Sequence, residues 1–177
     1  MERHGRRVLR MDFFNRPAAF VARELLGMEL VRNRDDGPNS SIVTETEAYE
    51  GAHDLASHSS RGRTRRTEVM FGPAGRFYVY RIYGLHWMLN VTAGEPGEAA
   101  AVLIRGLEAV SGPARLTAAL GIDGSLNGLE AAKQSGLWFE DRGHVVAPRQ
   151  VLRTARIGVE YAGPKWARKK LRFLLQA

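Results

Sequence analysis

Residues 76–92 read RFYVYRIYGLHWMLNVT. Two runs rich in aromatic and β-branched residues flank Gly84, the pattern of a β-hairpin with its tip at Tyr83 to His86. Strand alternation sends Tyr78, Tyr80 and Ile82 to one face and Phe77, Val79, Arg81 and Tyr83 to the other. Tyr83, directly before Gly84, stands at the tip, where a buried structural role is hard to arrange. An aromatic wedge there suits insertion into a base stack, although a tyrosine such as Tyr78 equally suits the core.

Working outward from the hairpin, AAAVLIRGLE on its C-terminal side reads as a buried strand from which Arg105 emerges. SGPARLTAALGI reads as a helix opened by Ser111 and Pro113 and closed by Gly121. A short helix near Gly128 to Gln134 is expected, with strands around Leu137 to Phe139 and Val145 to Val146, and KLRFLL as a terminal strand. On the N-terminal side, PAAFVARELLG has Phe20, Val21, Leu25 and Leu26 as its apolar set, proline in its first turn and Gly27 as its stop, so it is a helix. MELVR is a strand, RNRDDGPNSS a polar turn, and SIVTETEAYEG an alternating strand projecting Val43, Glu45, Glu47 and Tyr49 from one face. Residues 52–68, AHDLASHSSRGRTRRTE, lack a sustained period and form a long irregular connection. Residues 1–16 read as a basic N-terminal arm.

Many strands, short hairpin connections and few helices argue against a parallel βαβ sheet. The fold class predicted is α+β: a single domain over 1–177 with a curved, mostly antiparallel, open barrel-like sheet, peripheral helices and a protruding hairpin. At 177 residues the chain has room for one core, and 44% apolar with 25% charged residues is an ordinary globular balance.

A formal net charge of +7 favours a polyanionic partner, nucleic acid or an anionic membrane surface. Arg61, Arg63, Arg65 and Arg66 lie within six residues and suit successive phosphates; the same run also suits a solubilising loop. Lys165, Arg168, Lys169, Lys170 and Arg172 make a second basic patch. The absence of cysteine excludes disulfides and cysteine-ligated metal, and no HxxxH or HExxH spacing occurs, so neither a metal nor a cofactor is expected. No apolar run suggests a signal or a membrane span; a soluble cytoplasmic monomer is expected, nucleoid-associated in a bacterium.

Glu47 and Tyr49 share a strand face about 7 Å apart, a carboxylate beside an aromatic platform. That pair suits activation of water next to a stacked planar substrate. Glu45 shares the face, and periodicity does not choose between the two acids. His58, in the irregular connection, fits stacking, hydrogen-bond donation or plain solvation.

Taken together, ARELLG, VTETEAYEG, HSSRGRT, MFGPAGRFYVYRIYGLHWMLNV, AAVLIRGLEA, SGPARLTAALGI and RIGVEYAGPKWARKKLRF resemble, in order, the alkyladenine (3-methyladenine) DNA glycosylase family. The ETEAY and YVYRIYG pair with a downstream LIRGLE is the specific part. The resemblance implies a monofunctional DNA-repair enzyme that flips out alkylated or deaminated purines (3-methyladenine, 7-methylguanine, hypoxanthine, ethenoadenine) and hydrolyses the N-glycosidic bond of double-stranded DNA. It implies Glu47 as the group activating water and Arg105 as its helper. Tyr49, His58 and Tyr80 become the walls around the flipped base, Asn90 the group excluding guanine, and the Ile157 carbonyl a water ligand. Tyr83 becomes the intercalating wedge, with Arg61, Arg63, Arg65, Arg66 and Lys169 on phosphates. The chain departs from the family pattern at Thr64-Arg65-Arg66-Thr67, where an asparagine is often last, and at His86-Trp87. The rival readings are a non-catalytic damaged-DNA or RNA binder and a hydrolase of free nucleosides.

Overall fold

The computed structural model describes residues 5–176. In chain order the strands are β1 (Arg7–Val8), β2 (Glu29–Arg34), β3 (Gly37–Tyr49), β4 (Phe77–Ile82), β5 (His86–Ala93), β6 (Ala100–Leu107), β7 (Val110–Ser111), β8 (Leu137–Asp141), β9 (Val151–Thr154) and β10 (Arg172–Leu175). The helices are α1 (Met11–Phe14), α2 (Ala18–Leu25), α3 (Pro113–Leu120) and α4 (Pro164–Ala167), with several single 3-10 turns. The main path of the sheet runs β1-β8-β2-β3-β6-β5-β4 and does not close; β10 adds to β3, β9 to β10 and β7 to β6. Every strand pair is antiparallel. The expected α+β class and curved open sheet are therefore observed. Among the described residues no helix is long and apolar enough to cross a membrane.

The 13-residue strand β3 joins the two halves of the sheet. Its first half pairs with β2; its second half lies between β6 and β10. The handover is marked by register shifts between Val43 and Glu45 and between Glu45 and Thr46. An inserted residue breaks the period of two and turns later side chains to the other face. Val43, Ala48 and the buried Thr46 consequently face the main core with α2, where the Thr46 hydroxyl donates to the Ala22 carbonyl at 2.8 Å. The expectation that Val43 shares a face with Glu47 is corrected by this bulge, which alternation alone does not reveal.

Beyond the bulge the sheet has two faces of different chemistry. Val102 and Ile104 of β6, Leu89 and Val91 of β5, and Phe77 and Val79 of β4 join Val21, Leu25, Leu116 and Leu120 of α2 and α3 in one core. Ala101, Leu103, Met88, Asn90, Tyr78, Tyr80 and Ile82 alternate with them and line a cavity on the opposite face.

Other sequence expectations need correction. Of the expected arm, residues 1–4 lie outside the described residues, but Arg7–Val8 pair with β8 and Phe14 is fully buried. Phe20 is 60% exposed, because α2 needs only Ala18, Val21, Ala22 and Leu25 to cover the sheet. Ser111 does not cap α3; it pairs with Gly106 in β7, and Gly112 takes the cap position. The short helix expected near Gly128 to Gln134 reduces to a 3-10 turn at Lys133–Ser135, and residues 127–129 instead protect the edge strand β4. Asn127 Oδ1 accepts the Val79 N–H at 3.0 Å, and backbone bonds join Phe77 to Gly128 and Leu129, covering an edge that would otherwise be free to pair. Val145 and Val146 form no strand; Val146 fills the space that a side chain at Gly27 would occupy.

Candidate active site

The cavity on the open face holds about 240 Å3, below the roughly 300–1,000 Å3 of drug-sized sites, and its lining includes the rings of Tyr49, His58, Tyr78, Tyr80 and Tyr161. His58 and Tyr80 meet edge to face with ring centroids 4.6 Å apart, and Tyr78 lies 5.1 Å from Tyr80. The Tyr78 hydroxyl is 3.0 Å from His58 Nδ1. Burial, together with the Arg66 and Arg61 charges, lowers the His58 pKa to about 4, so the ring is neutral at pH 7. Asn90 is buried at the cavity wall, its amide donating to the Tyr78 carbonyl at 3.0 Å.

Glu47 lies directly behind the cavity wall, with 0% of its surface exposed. Its carboxylate is not sealed in apolar packing. The Ile157 N–H donates to Oε1 at 2.8 Å and the Tyr49 hydroxyl to Oε2 at 2.9 Å. Arg105 Nε stands 3.6 Å from Oε1, and all three partners line the cavity. Desolvation raises the Glu47 pKa above the ordinary carboxylate value, opposed by Arg105, the Ile157 N–H, the Tyr49 hydroxyl and Arg156. A carboxylate held this way is a stronger base than an exposed one.

Glu45 shares that face but has other partners. Its Oε1 takes Arg105 Nε at 3.2 Å and Arg172 Nε at 2.6 Å, so two guanidinium groups hold it in place. The two acids thus differ in their partners: Glu45 is held by Arg105 and by Arg172 of the C-terminal strand, and Glu47 by Tyr49 and the segment carrying Ile157.

The predicted residues divide by place. Tyr49, His58, Tyr80, Asn90, Arg105 and Ile157 meet at one cavity with Glu47 behind it. Tyr83 does not line the cavity; it stands at the hairpin turn next to Ile82, 89% exposed and at φ +50°. The Leu85 N–H closes the turn onto the Ile82 carbonyl, and Gly84 is at φ +64°. Arg61 and Arg66 line a wider groove of about 660 Å3 that shares Ser57, His58 and Tyr161 with the cavity. Arg66 also lies over the Tyr80 ring at 5.2 Å. Arg63 pairs with Glu68 at 3.2 Å on the surface, and Arg65 is exposed. Lys169 sits apart, bonded to Glu50 at 2.7 Å and stacked over Trp166 at 4.4 Å.

Where the resemblance leads one to expect asparagine, Thr67 shapes the loop itself. Its hydroxyl accepts the Thr64 N–H and donates to the Gly62 carbonyl, both at 2.9 Å. Trp87, the other departure, buttresses the hairpin: Gly124 packs so close that a Cβ there would fall 2.9 Å from the indole. Sequence reading missed Tyr161, whose hydroxyl donates to the Ala56 carbonyl at 2.6 Å beside the cavity. It also missed the buried Asp54–Arg156 pair. The adjacency of Arg156 to Ile157 was the available signal.

The family model described as Methylpurine-DNA glycosylase (MPG) matches residues 12–177. A protein of Legionella pneumophila (strain Lens) named "Putative 3-methyladenine DNA glycosylase" is 42% identical, over 96% of this chain and 95% of that protein. Proteins of the same name from Myxococcus xanthus and Methanocella arvoryzae are 44% and 40% identical, over 91% and 88% of this chain and 86% of each of theirs.

Proposed function

Because the chain belongs to the methylpurine-DNA glycosylase family, we propose that it is a monofunctional hydrolase of the N-glycosidic bond of damaged purines in duplex DNA. Its substrates on this reading are 3-methyladenine, 7-methylguanine, hypoxanthine and ethenoadenine, and its product is an abasic site. The observation that carries the reading is the Glu47 carboxylate, oriented by Ile157 and Tyr49 immediately behind a cavity for one flat ring.

The chemistry follows from the charges. Stretching the bond to the base develops positive charge on the sugar, which a carboxylate stabilises while it takes the proton of the attacking water. The water oxygen bonds to the anomeric carbon, the bonding pair leaves with the purine, and the water proton ends on Glu47. A cationic alkylpurine departs as a neutral base, so it requires no general acid. Each carboxylate oxygen accepts more than one hydrogen bond, so Oε1 can hold a water besides the Ile157 N–H. With Glu47 buried, that water enters only where Ile157 and Arg105 part slightly.

Tyr49, His58 and Tyr80 would stack on the flipped base, and Asn90 would crowd the 2-amino group of guanine. Tyr83 would fill the gap in the duplex. Unpairing costs a few kcal/mol and least at damaged pairs, so flipping itself selects. Arg61, Arg65 and Arg66 would hold phosphates beside the cavity; Arg63 and Lys169, already paired with carboxylates, would add less. For the cationic methylpurines one chain carries every group the reaction needs, in keeping with a monomer.

The test is base release from methylated or hypoxanthine-containing duplex DNA under single-turnover conditions. Glu47→Gln should lower the rate by about 10²–10⁴-fold with DNA affinity retained. Equal rates for wild type and variant with intact binding would instead mark a non-catalytic DNA binder. Activity on free nucleosides that is indifferent to salt would mark a nucleoside hydrolase.

A further inference from the structure

Asp54 and Arg156 are both inaccessible to solvent, and they meet fork to fork. Arg156 Nη1 lies 2.6 Å from Asp54 Oδ2, and Nη2 lies 3.0 Å from Oδ1. Nη1 also donates to the Ala48 carbonyl at 3.0 Å, and the guanidinium carbon lies 4.8 Å from the centre of the Tyr49 ring. Asp54 accepts the Glu50 and Ala56 N–H groups, both at 3.0 Å. One ion pair thus ties the backbone on both sides of Tyr49, and the ring itself, to the segment carrying Ile157.

A buried ion pair is a poor source of stability, because desolvation offsets the attraction. Its bidentate geometry is nonetheless restrictive. We propose that the Asp54–Arg156 pair positions the catalytic centre by fixing the two donors, the Ile157 N–H and the Tyr49 hydroxyl, that aim the Glu47 carboxylate. Neither Asp54 nor Arg156 lines the cavity, so both act through other groups. The inference rests on the reading of Glu47 as the water-activating group.

The test uses Asp54→Asn and Arg156→Gln in the full chain. It follows single-turnover release of methylated purine from duplex DNA at saturating protein across pH, with anisotropy measurement of binding to the same DNA. The wild type comes first: if it releases no base, the reading of Glu47 falls whatever the variants do. With an active wild type, both variants should lose about 10–100-fold in rate from the misplaced carboxylate, while affinity for DNA changes little.

The acid limb of the rate separates positioning from general loosening. Facing Glu47 are Arg105 from β6, Tyr49 on its own strand, Tyr80 from β4, and Arg156 and Tyr161 from the segment after β9, with Glu45 and Arg172 beyond Arg105. Arg156→Gln removes a positive charge, so Glu47 keeps its proton to higher pH and the limb moves up. Asp54→Asn leaves Arg156 uncompensated, and the limb moves down. Wild-type rates in both folded variants, or limbs that move the same way, overturn the proposal. If Arg156→Gln does not fold, Asp54→Asn decides by its rate and the direction of its limb. If neither folds, the wild type decides: the Ile157 amide proton shift must titrate at the midpoint of the acid limb, and a shift that ignores pH overturns the proposal.

Discussion

The two faces of the β3-β6-β5-β4 sheet are made by the same strands and share almost nothing else. On β6, Val102 and Ile104 lie in the apolar core under α2 and α3, while Ala101, Leu103 and Arg105 line the cavity. The covered face gains from removing apolar surface from water. The open face carries a buried acid, a buried asparagine and an arginine, each satisfied by hydrogen bonds or a counter-charge. The difference teaches that the packed face makes the strands rigid enough for the other face to hold groups whose burial is costly.

The most forceful way to break that comparison is to truncate two neighbours in turn. Ile104→Ala should cost about 2–5 kcal/mol, because it opens a void in a closed core, and leave single-turnover base release near normal. Leu103→Ala only widens an existing cavity, so its stability cost should sit at or below the bottom of that range, while the base loses a wall and release slows. Urea unfolding beside a release assay reads both. If the two variants lose stability equally and neither alters release, the faces are not functionally distinct.

The sequence made the faces legible where alternation is unbroken. Tyr78, Tyr80 and Ile82 separate from Phe77 and Val79 as a period of two requires, and Gly84 marks the turn. Alternation fails at Val43, because a bulge is set by the pairing partner and leaves no local mark. Tyr49, His58, Tyr80, Asn90, Arg105 and Ile157 meet at one cavity, while Tyr83 and Lys169 stand outside it. What stayed hidden depended on contacts across more than 100 residues: Ile157 on Glu47, Arg156 on Asp54 and Arg172 on Glu45. Such contacts have no periodic signature, and neither does the use of 127–129, at the start of the helix expected near Gly128 to Gln134, as cover for an edge strand.

A smaller effect sharpens the idea that the open face holds its charge at a cost. The folded-state pKa of Glu47 is raised by burial, so the native state keeps this proton to higher pH than the unfolded chain does. Its contribution to stability is therefore fullest at acid pH and falls as pH rises from the ordinary carboxylate range through the raised value. Glu47→Gln removes that loss. The variant's melting temperature should pull ahead of the wild type's between pH 4 and 8, by an increment that grows with pH and then levels. His58, with its pKa lowered to about 4, destabilises the fold as pH falls from about 6.5, the opposite trend. It is common to both proteins and cancels in the difference. A wild type that stays more stable at every pH would mean that Ile157, Tyr49 and Arg105 over-compensate the buried charge.

The smallest effect belongs to Tyr83, at the turn where alternation ends and neither face claims the side chain. At φ +50° a tyrosine is in a region that L-residues with a Cβ avoid, at a cost of about 1 kcal/mol. Nothing in the core recovers that cost, since the ring is exposed; strain kept at an exposed ring points to use. Two substitutions separate the ring from the turn. Tyr83→Ser removes the ring and keeps the strain, whereas Tyr83→Gly removes both and should be more stable than the serine variant by no more than about 1 kcal/mol. If the ring is the wedge, both lose the rise in 2-aminopurine fluorescence that accompanies flipping, to the same extent and despite their different stabilities. A glycine variant that still flips bases while the serine variant does not would assign the tip's work to backbone shape instead of the aromatic ring.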